Sequence, residues 1–152
     1  MLLKDWFTED LARGLPTYHS LQKTMIQDFQ IHSIRSAAIL TGSYVAGTVI
    51  NATAGSYMQN QLILLVDFTL GSLTSAEIKV EFSNDGTTYF QETNGSVSSG
   101  TTTLALNEYS MTATGKFRIP VPIKDRYIKI SAKGTGTVTS STMTINAVTG
   151  VA

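Results

Sequence analysis

Glu77-Ile78-Lys79-Val80-Glu81-Phe82-Ser83-Asn84-Asp85-Gly86 decides the fold class. Ile78, Val80 and Phe82 alternate with Lys79, Glu81 and Ser83. Successive strand side chains point to opposite faces, so this period of two makes a strand buried on one side and wet on the other. Asn84-Asp85-Gly86 then supplies residues that turn easily, the strongest short-range turn signal in the chain. It is expected to close a hairpin onto Thr88–Glu92.

The same grammar recurs on both sides. Gln61–Leu70 is the most apolar stretch and is expected to be a central strand covered on both faces. Lys116–Ile123 alternates again, with Phe117, Ile119, Val121 and Ile123 inward; Pro120 and Pro122 lack ladder donors, so the strand belongs at an edge or a bulge. Arg126–Lys133 places Ile128, Ile130 and Ala132 inward, Gly134-Thr135-Gly136 turns the chain, and a closing strand near Thr142–Val148 directs Met143 and Ile145 inward. Ala37–Thr41 and Thr48–Ala52 are shorter candidates. Gly95–Gly100 reads as a flexible Ser/Gly loop, and Thr101–Leu106 as a strand with Leu104 and Leu106 inward. Eight or nine short strands with no helix between them give an all-β reading, an antiparallel β-sandwich or jelly roll over residues 37–152.

Residues 1–36 read differently, as a partly helical N-terminal arm. Leu2, Leu3, Trp6, Phe7 and Leu11 fall near one face at helical spacing, until Gly14 and Pro16 stop the pattern. Tyr18, Leu21, Met25, Ile26 and Phe29 form a second stripe at steps of three and four. The first segment is too short to stand as a helix alone, so Trp6, Phe7 and Leu11 need a surface to cover. That surface is this chain's own β-domain or a neighbour's.

Composition narrows the function. The 152 residues carry 11 basic and 11 acidic side chains, a net charge of zero and 14% charged residues, against about 25% in an average soluble domain. Hydroxyls take their place, with 22 Thr and 15 Ser. A neutral chain with no basic block is not expected to bind nucleic acid through its phosphates. The longest apolar run, Leu62-Ile63-Leu64-Leu65-Val66, is far short of the roughly 18 residues of a membrane span. Met1-Leu2-Leu3 is interrupted at once by Lys4 and Asp5, so no secretory signal is expected. With no cysteine, disulfide and thiolate chemistry are excluded. Of the 22 charges, 8 lie in residues 1–36, as do both histidines.

Candidate chemistry is sparse. Asp67 interrupts the most apolar strand and could be a buried base or metal ligand, yet no acid or histidine stands at a useful spacing, and a solvent-facing strand residue is the simpler reading. His19 and His32 lack the further ligands that zinc requires, and no G-x-S-x-G elbow accompanies them. The Asn84-Asp85-Gly86 turn lacks the remaining spacing of a calcium loop. No phosphate-cradling glycine loop occurs. No catalytic residue, metal or cofactor is therefore expected. Tyr89 and Phe90, adjacent after the turn, should face opposite sides, which leaves one ring exposed for a sugar face or a partner.

Val80-Glu81-Phe82-Ser83-Asn84-Asp85-Gly86-Thr87-Thr88-Tyr89 resembles the hairpin of discoidin-like, galactose-binding-like sandwiches, and Arg126-Tyr127-Ile128-Lys129-Ile130 is similar to a later strand of that fold. That resemblance implies a carbohydrate-binding module. The chain departs from the secreted members of that group in having no cysteine pair and one Trp, in the arm. The whole chain also resembles, in style, small tailed-bacteriophage virion proteins, the head decoration (cement) and neck or tail adaptor types, which pair a β-sandwich or jelly roll with a terminal arm. This implies a non-enzymatic structural protein of the capsid surface, neck or tail. It would be a homo-oligomer, commonly a trimer, contacting the major capsid protein or other virion proteins, without membrane. Trp6, Phe7, Leu11, Tyr89 and Phe90 are the candidate interaction residues.

Overall fold

A computed structural model describes residues 29–53 and 61–150. Every regular element in them is a strand. In chain order these are β1 (Gln30–Ala38), β2 (Val45–Ala46), β3 (Ile50–Asn51), β4 (Gln61–Thr69), β5 (Leu73–Ser83), β6 (Phe90–Gln91), β7 (Thr93–Ser98), β8 (Thr101–Leu106), β9 (Glu108–Met111), β10 (Gly115–Pro122), β11 (Tyr127–Gly136) and β12 (Thr142–Gly150).

The strands form two main antiparallel sheets. The first has the order β1-β12-β4-β10. In the second, β11 and β5 are paired along their length; β2 and β3 both flank β11, while β6 and β9 both flank β5. One apolar cluster takes side chains from both sheets: Leu62, Leu64, Val66, Phe68, Met143 and Ile145 from the first, and Ile78, Val80, Phe82, Ile128 and Ile130 from the second. Two sheets that each commit one face to a common core have the layering of a sandwich.

Alternation placed this core well. Ile78, Val80 and Phe82 are all buried, as are Ile128, Ile130, Ala132, Met143 and Ile145. β10 lies at a sheet edge, as its prolines require. Pro120 and Pro122 stand opposite Ile63 and Gln61. Two steps apart, they turn their missing donors the same way, toward the free flank.

Four expectations change. β4 is central but not covered on both faces: Leu62, Leu64, Val66 and Phe68 are buried, while Leu65 is 41% exposed and Asp67 is exposed. Its apolar run follows from neighbours on both flanks and an outer face that is itself partly apolar. The 1–36 arm and the 37–152 domain do not divide at residue 36, because β1 starts at Gln30 and pairs with β12 from Thr149 back to Met143. The polar Gln30, His32, Ser33 and Arg35 had masked that strand. The expected loop Gly95–Gly100 contains most of strand β7, and Leu104 and Leu106 do not point into the core. Finally, the partner expected over Thr88–Glu92 shrinks to the two-residue β6. The helical reading of the arm lies outside the described residues, apart from Phe29.

Candidate interaction surface

β6 and β9 lie one after the other along the free flank of β5: Gln91 and Phe90 face Glu81 and Phe82, and Glu108 to Met111 face Lys79 to Ala76. Between them the chain leaves the sheet as the β7–β8 hairpin, a separate two-stranded ribbon. Its base is fastened by backbone and side-chain bonds. The Asn107 N–H donates to the Glu92 carbonyl at 2.8 Å, and the Gln91 side-chain amide donates to the Asn107 carbonyl at 2.8 Å. Its tip is Ser99-Gly100, with φ of 51° and 77°. Two positive φ values in a two-residue loop match the twist of a hairpin, and glycine reaches them without a Cβ penalty.

The pairing decides which side chains share a face. Thr93 lies opposite Leu106, Gly95 opposite Leu104, and Val97 opposite Thr102. One face therefore carries Val97, Leu104 and Leu106; the other carries Asn94, Ser96, Ser98, Thr101, Thr103 and Ala105. The ribbon is amphipathic, yet every residue of both strands is exposed. Val97 is 73%, Leu104 65% and Leu106 61% exposed. Residues 93–107 contain no charged side chain. A lone two-stranded ribbon is at best marginally stable in water, so this one has the pattern of a half-buried strand pair without its cover.

The structure separates Tyr89 and Phe90. Phe90 pairs with buried Phe82 but overhangs the sheet flank and is 69% exposed. Tyr89 is half-buried on the opposite side, where the Lys129 ammonium sits 4.1 Å from its ring centre. The two rings make no common platform, and one face of Tyr89 is occupied by a cation. Around it the outer face of the second sheet holds an ordered charge network. Glu81 lies 3.2 Å from both Lys79 and Lys129, and the Tyr44 ring sits between Lys79 and Lys133. The Tyr44 hydroxyl is pushed up by burial first and by the nearby Glu108 carboxylate next. By strict geometry it completes no hydrogen bond.

The remaining candidates take the simpler reading. Asp67 faces solvent and pairs with exposed Lys116 at 3.4 Å. His32 is hydrogen-bonded through Nε2 to Thr149 Oγ1 at 3.0 Å. Among the described residues no three His, Cys, Asp or Glu gather where they could hold a metal ion. The Asp85 carboxylate is used by its own loop: Ser83 Oγ–H and the Thr87 and Thr88 N–H groups all donate to Oδ1 at 2.8 Å. Trp6, Phe7, Leu11 and His19 lie outside the described residues.

The sequence reading missed the hairpin face as a site. Its signals were the Ser99-Gly100 pair and the alternation Thr103-Leu104-Ala105-Leu106.

No family model and no curated protein matches this chain. Among solved structures it is similar to the crystal structure of the SPBc2 prophage-derived protein YomS. The two share 19% identity over 83% of this chain and 96% of that chain, with a TM-score of 0.43. A likeness that loose carries no argument about function.

Proposed function

We propose that this chain is a non-enzymatic structural protein of a tailed-phage particle, most simply a decoration (cement) protein that works through subunit contacts. The observation that carries the reading is the β7–β8 hairpin: an amphipathic, charge-free ribbon whose apolar face no described residue covers. Burying Val97, Leu104 and Leu106 against a neighbour would stabilise by about 5 kcal/mol per hairpin. That is comparable with the entropic cost of association, so the contact gains from several copies around one axis and from Phe90 at its base. Closed symmetry is the default for such assemblies, and a trimer satisfies it.

Strand order supports a jelly-roll reading. With β2 and β3 taken as one position and β6 and β9 as another, the sheets read 1-8-3-6 and 2-7-4-5. That is the interleaving of a jelly roll, an architecture that capsid and lectin domains both use. Fold alone does not choose between them. The hydroxyl-rich, neutral surface favours the capsid side, because it loses its water at lower cost than a charged one. The sugar-binding reading keeps the single exposed ring expected for it, Phe90, while one face of Tyr89 is taken by Lys129.

Two measurements test the proposal. Light scattering should find a closed oligomer, with a trimer expected. Mass spectrometry of purified particles from a strain carrying the gene should find the chain in many copies. A monomer that is absent from every particle would overturn the proposal.

A further inference from the structure

Two places in the chain set an Asp or Asn side chain directly before a glycine amide, Asp85-Gly86 and Asn94-Gly95. Glycine has no Cβ to crowd that amide, so its nitrogen can turn onto the side-chain carbonyl carbon and close a five-membered ring. The fold treats the two places differently. At Asp85 both partners are occupied. Its Oδ1 accepts from Ser83 Oγ–H and from the Thr87 and Thr88 N–H groups, each at 2.8 Å. The Gly86 N–H donates to Ser83 Oγ at 2.9 Å.

At Asn94 the glycine N–H is off the ladder and the side chain is loosely held. The bond from the Asn107 N–H to the Glu92 carbonyl marks Glu92 and Asn107 as a hydrogen-bonded pair. Hydrogen-bonded and non-hydrogen-bonded pairs alternate along an antiparallel ladder. The unbroken register of the ribbon then makes Asn94–Ala105 a hydrogen-bonded pair and Gly95–Leu104 a non-hydrogen-bonded one. The Gly95 N–H therefore points away from β8, on a flank where β7 has no partner strand. The Asn94 side-chain amide makes one long bond, donating to Asn107 Oδ1 at 3.3 Å, and both Asn94 and Gly95 are exposed. A two-stranded ribbon is marginally stable, so it opens at little cost and its backbone can take the turn that ring closure needs.

We propose that Asn94 is a site of spontaneous deamidation, and that its conversion undoes the apolar face of the hairpin. The Gly95 nitrogen attacks Asn94 Cγ; the new C–N bond forms and the Cγ–Nδ2 bond breaks. Ammonia leaves with the proton that the Gly95 nitrogen gives up. Water then opens the cyclic imide, and nothing is oxidised or reduced. Opening at Cγ gives aspartate, the first charge within residues 93–107. Opening at the main-chain carbonyl gives isoaspartate, whose chain runs through Cβ and Cγ and is one atom longer. The extra atom falls ahead of Gly95, so the pairing that sets Val97 on one face with Leu104 and Leu106 is broken there. This chemistry is a property of the chain itself and does not depend on the oligomer proposed above.

The test is peptide mass mapping of the purified full chain, incubated at neutral and at mildly alkaline pH. The Asn94 peptide should gain the mass of amide-to-acid conversion several times faster than the peptides holding Asn51, Asn84 and Asn146. It should gain it faster still in alkali, where more of the Gly95 nitrogen is deprotonated. Gly95→Ala should abolish that lead. The added Cβ fits, at 3.5 Å from Leu104 Cδ2, and a cooperative melt checks that the variant folds. The isoaspartate-containing fraction, separated by chromatography, should exchange its amide hydrogens over residues 93–106 faster than the unconverted chain, with the rest of the domain unchanged. Conversion no faster at Asn94 than at the other three asparagines, or undiminished in Gly95→Ala, would overturn the site. Equal exchange in the two fractions would overturn its effect on the hairpin.

Discussion

Asp85 shows how much a single side chain can organise. Its carboxylate accepts from the Thr88 and Thr87 N–H groups and from the Ser83 hydroxyl, and these bonds, the Thr88 one foremost, hold it well below the usual carboxylate range. A depressed carboxylate contributes stability that is present above its unfolded value, near 3.9, and is lost as the pH falls below that value. Asp85→Asn keeps an acceptor but loses the charge. Melting curves from neutral to acid pH should therefore show a lower midpoint for the variant near neutrality, with the gap closing in strong acid. A gap that widens in acid would contradict this account. Asp67 is the contrasting case. Its pair with Lys116 is exposed on both sides, so Asp67→Asn should change stability by less than about 0.5 kcal/mol. The turn at Asp85 was legible from Asn84-Asp85-Gly86. Its length was not, because the carboxylate draws the Thr87 and Thr88 amides into the loop and delays pairing until Phe90.

At the scale of elements, alternation located the inner faces of β5, β10, β11 and β12 because in these strands the apolar set meets this chain's own core. Phe68, fully buried in β4, should cost about 3–5 kcal/mol on change to Ala, read as the midpoint shift in denaturant. The same alternation misled at Leu104 and Leu106. Periodicity says that a face is apolar, and it does not say which molecule covers it. β1 was missed for the opposite reason: an edge strand with Gln30, His32, Ser33 and Arg35 has little apolar pattern to read. The hairpin reading also gives an expectation at this scale. Leu104→Asp changes an exposed position, so thermal stability measured under dissociating conditions should stay within about 0.5 kcal/mol of wild type. A large loss there would mean that Leu104 packs within its own subunit.

The whole molecule is where the sequence carries least. The pairing of β1 with β12, β4 with β12 and β5 with β11 joins residues far apart in the chain. Short-range grammar therefore yields the strands without their order. Charge distribution survives the change of scale. The described domain keeps the Lys79–Glu81–Lys129 network on the outer face of the second sheet, an apolar row of Ile31, Val148, Ile63 and Pro120 together with the exposed Asp67–Lys116 pair on the outer face of the first, and a neutral ribbon projecting between β6 and β9. Those are three surfaces with different demands, and no described residue covers the ribbon's apolar face.

The direct measurement is sedimentation velocity of the wild type beside a Leu104→Asp, Leu106→Asp double variant across a wide concentration range. The account expects a closed oligomer for the wild type and a folded monomer for the variant, with matching circular dichroism. A monomeric wild type, or a variant that assembles as well as the wild type, would contradict it.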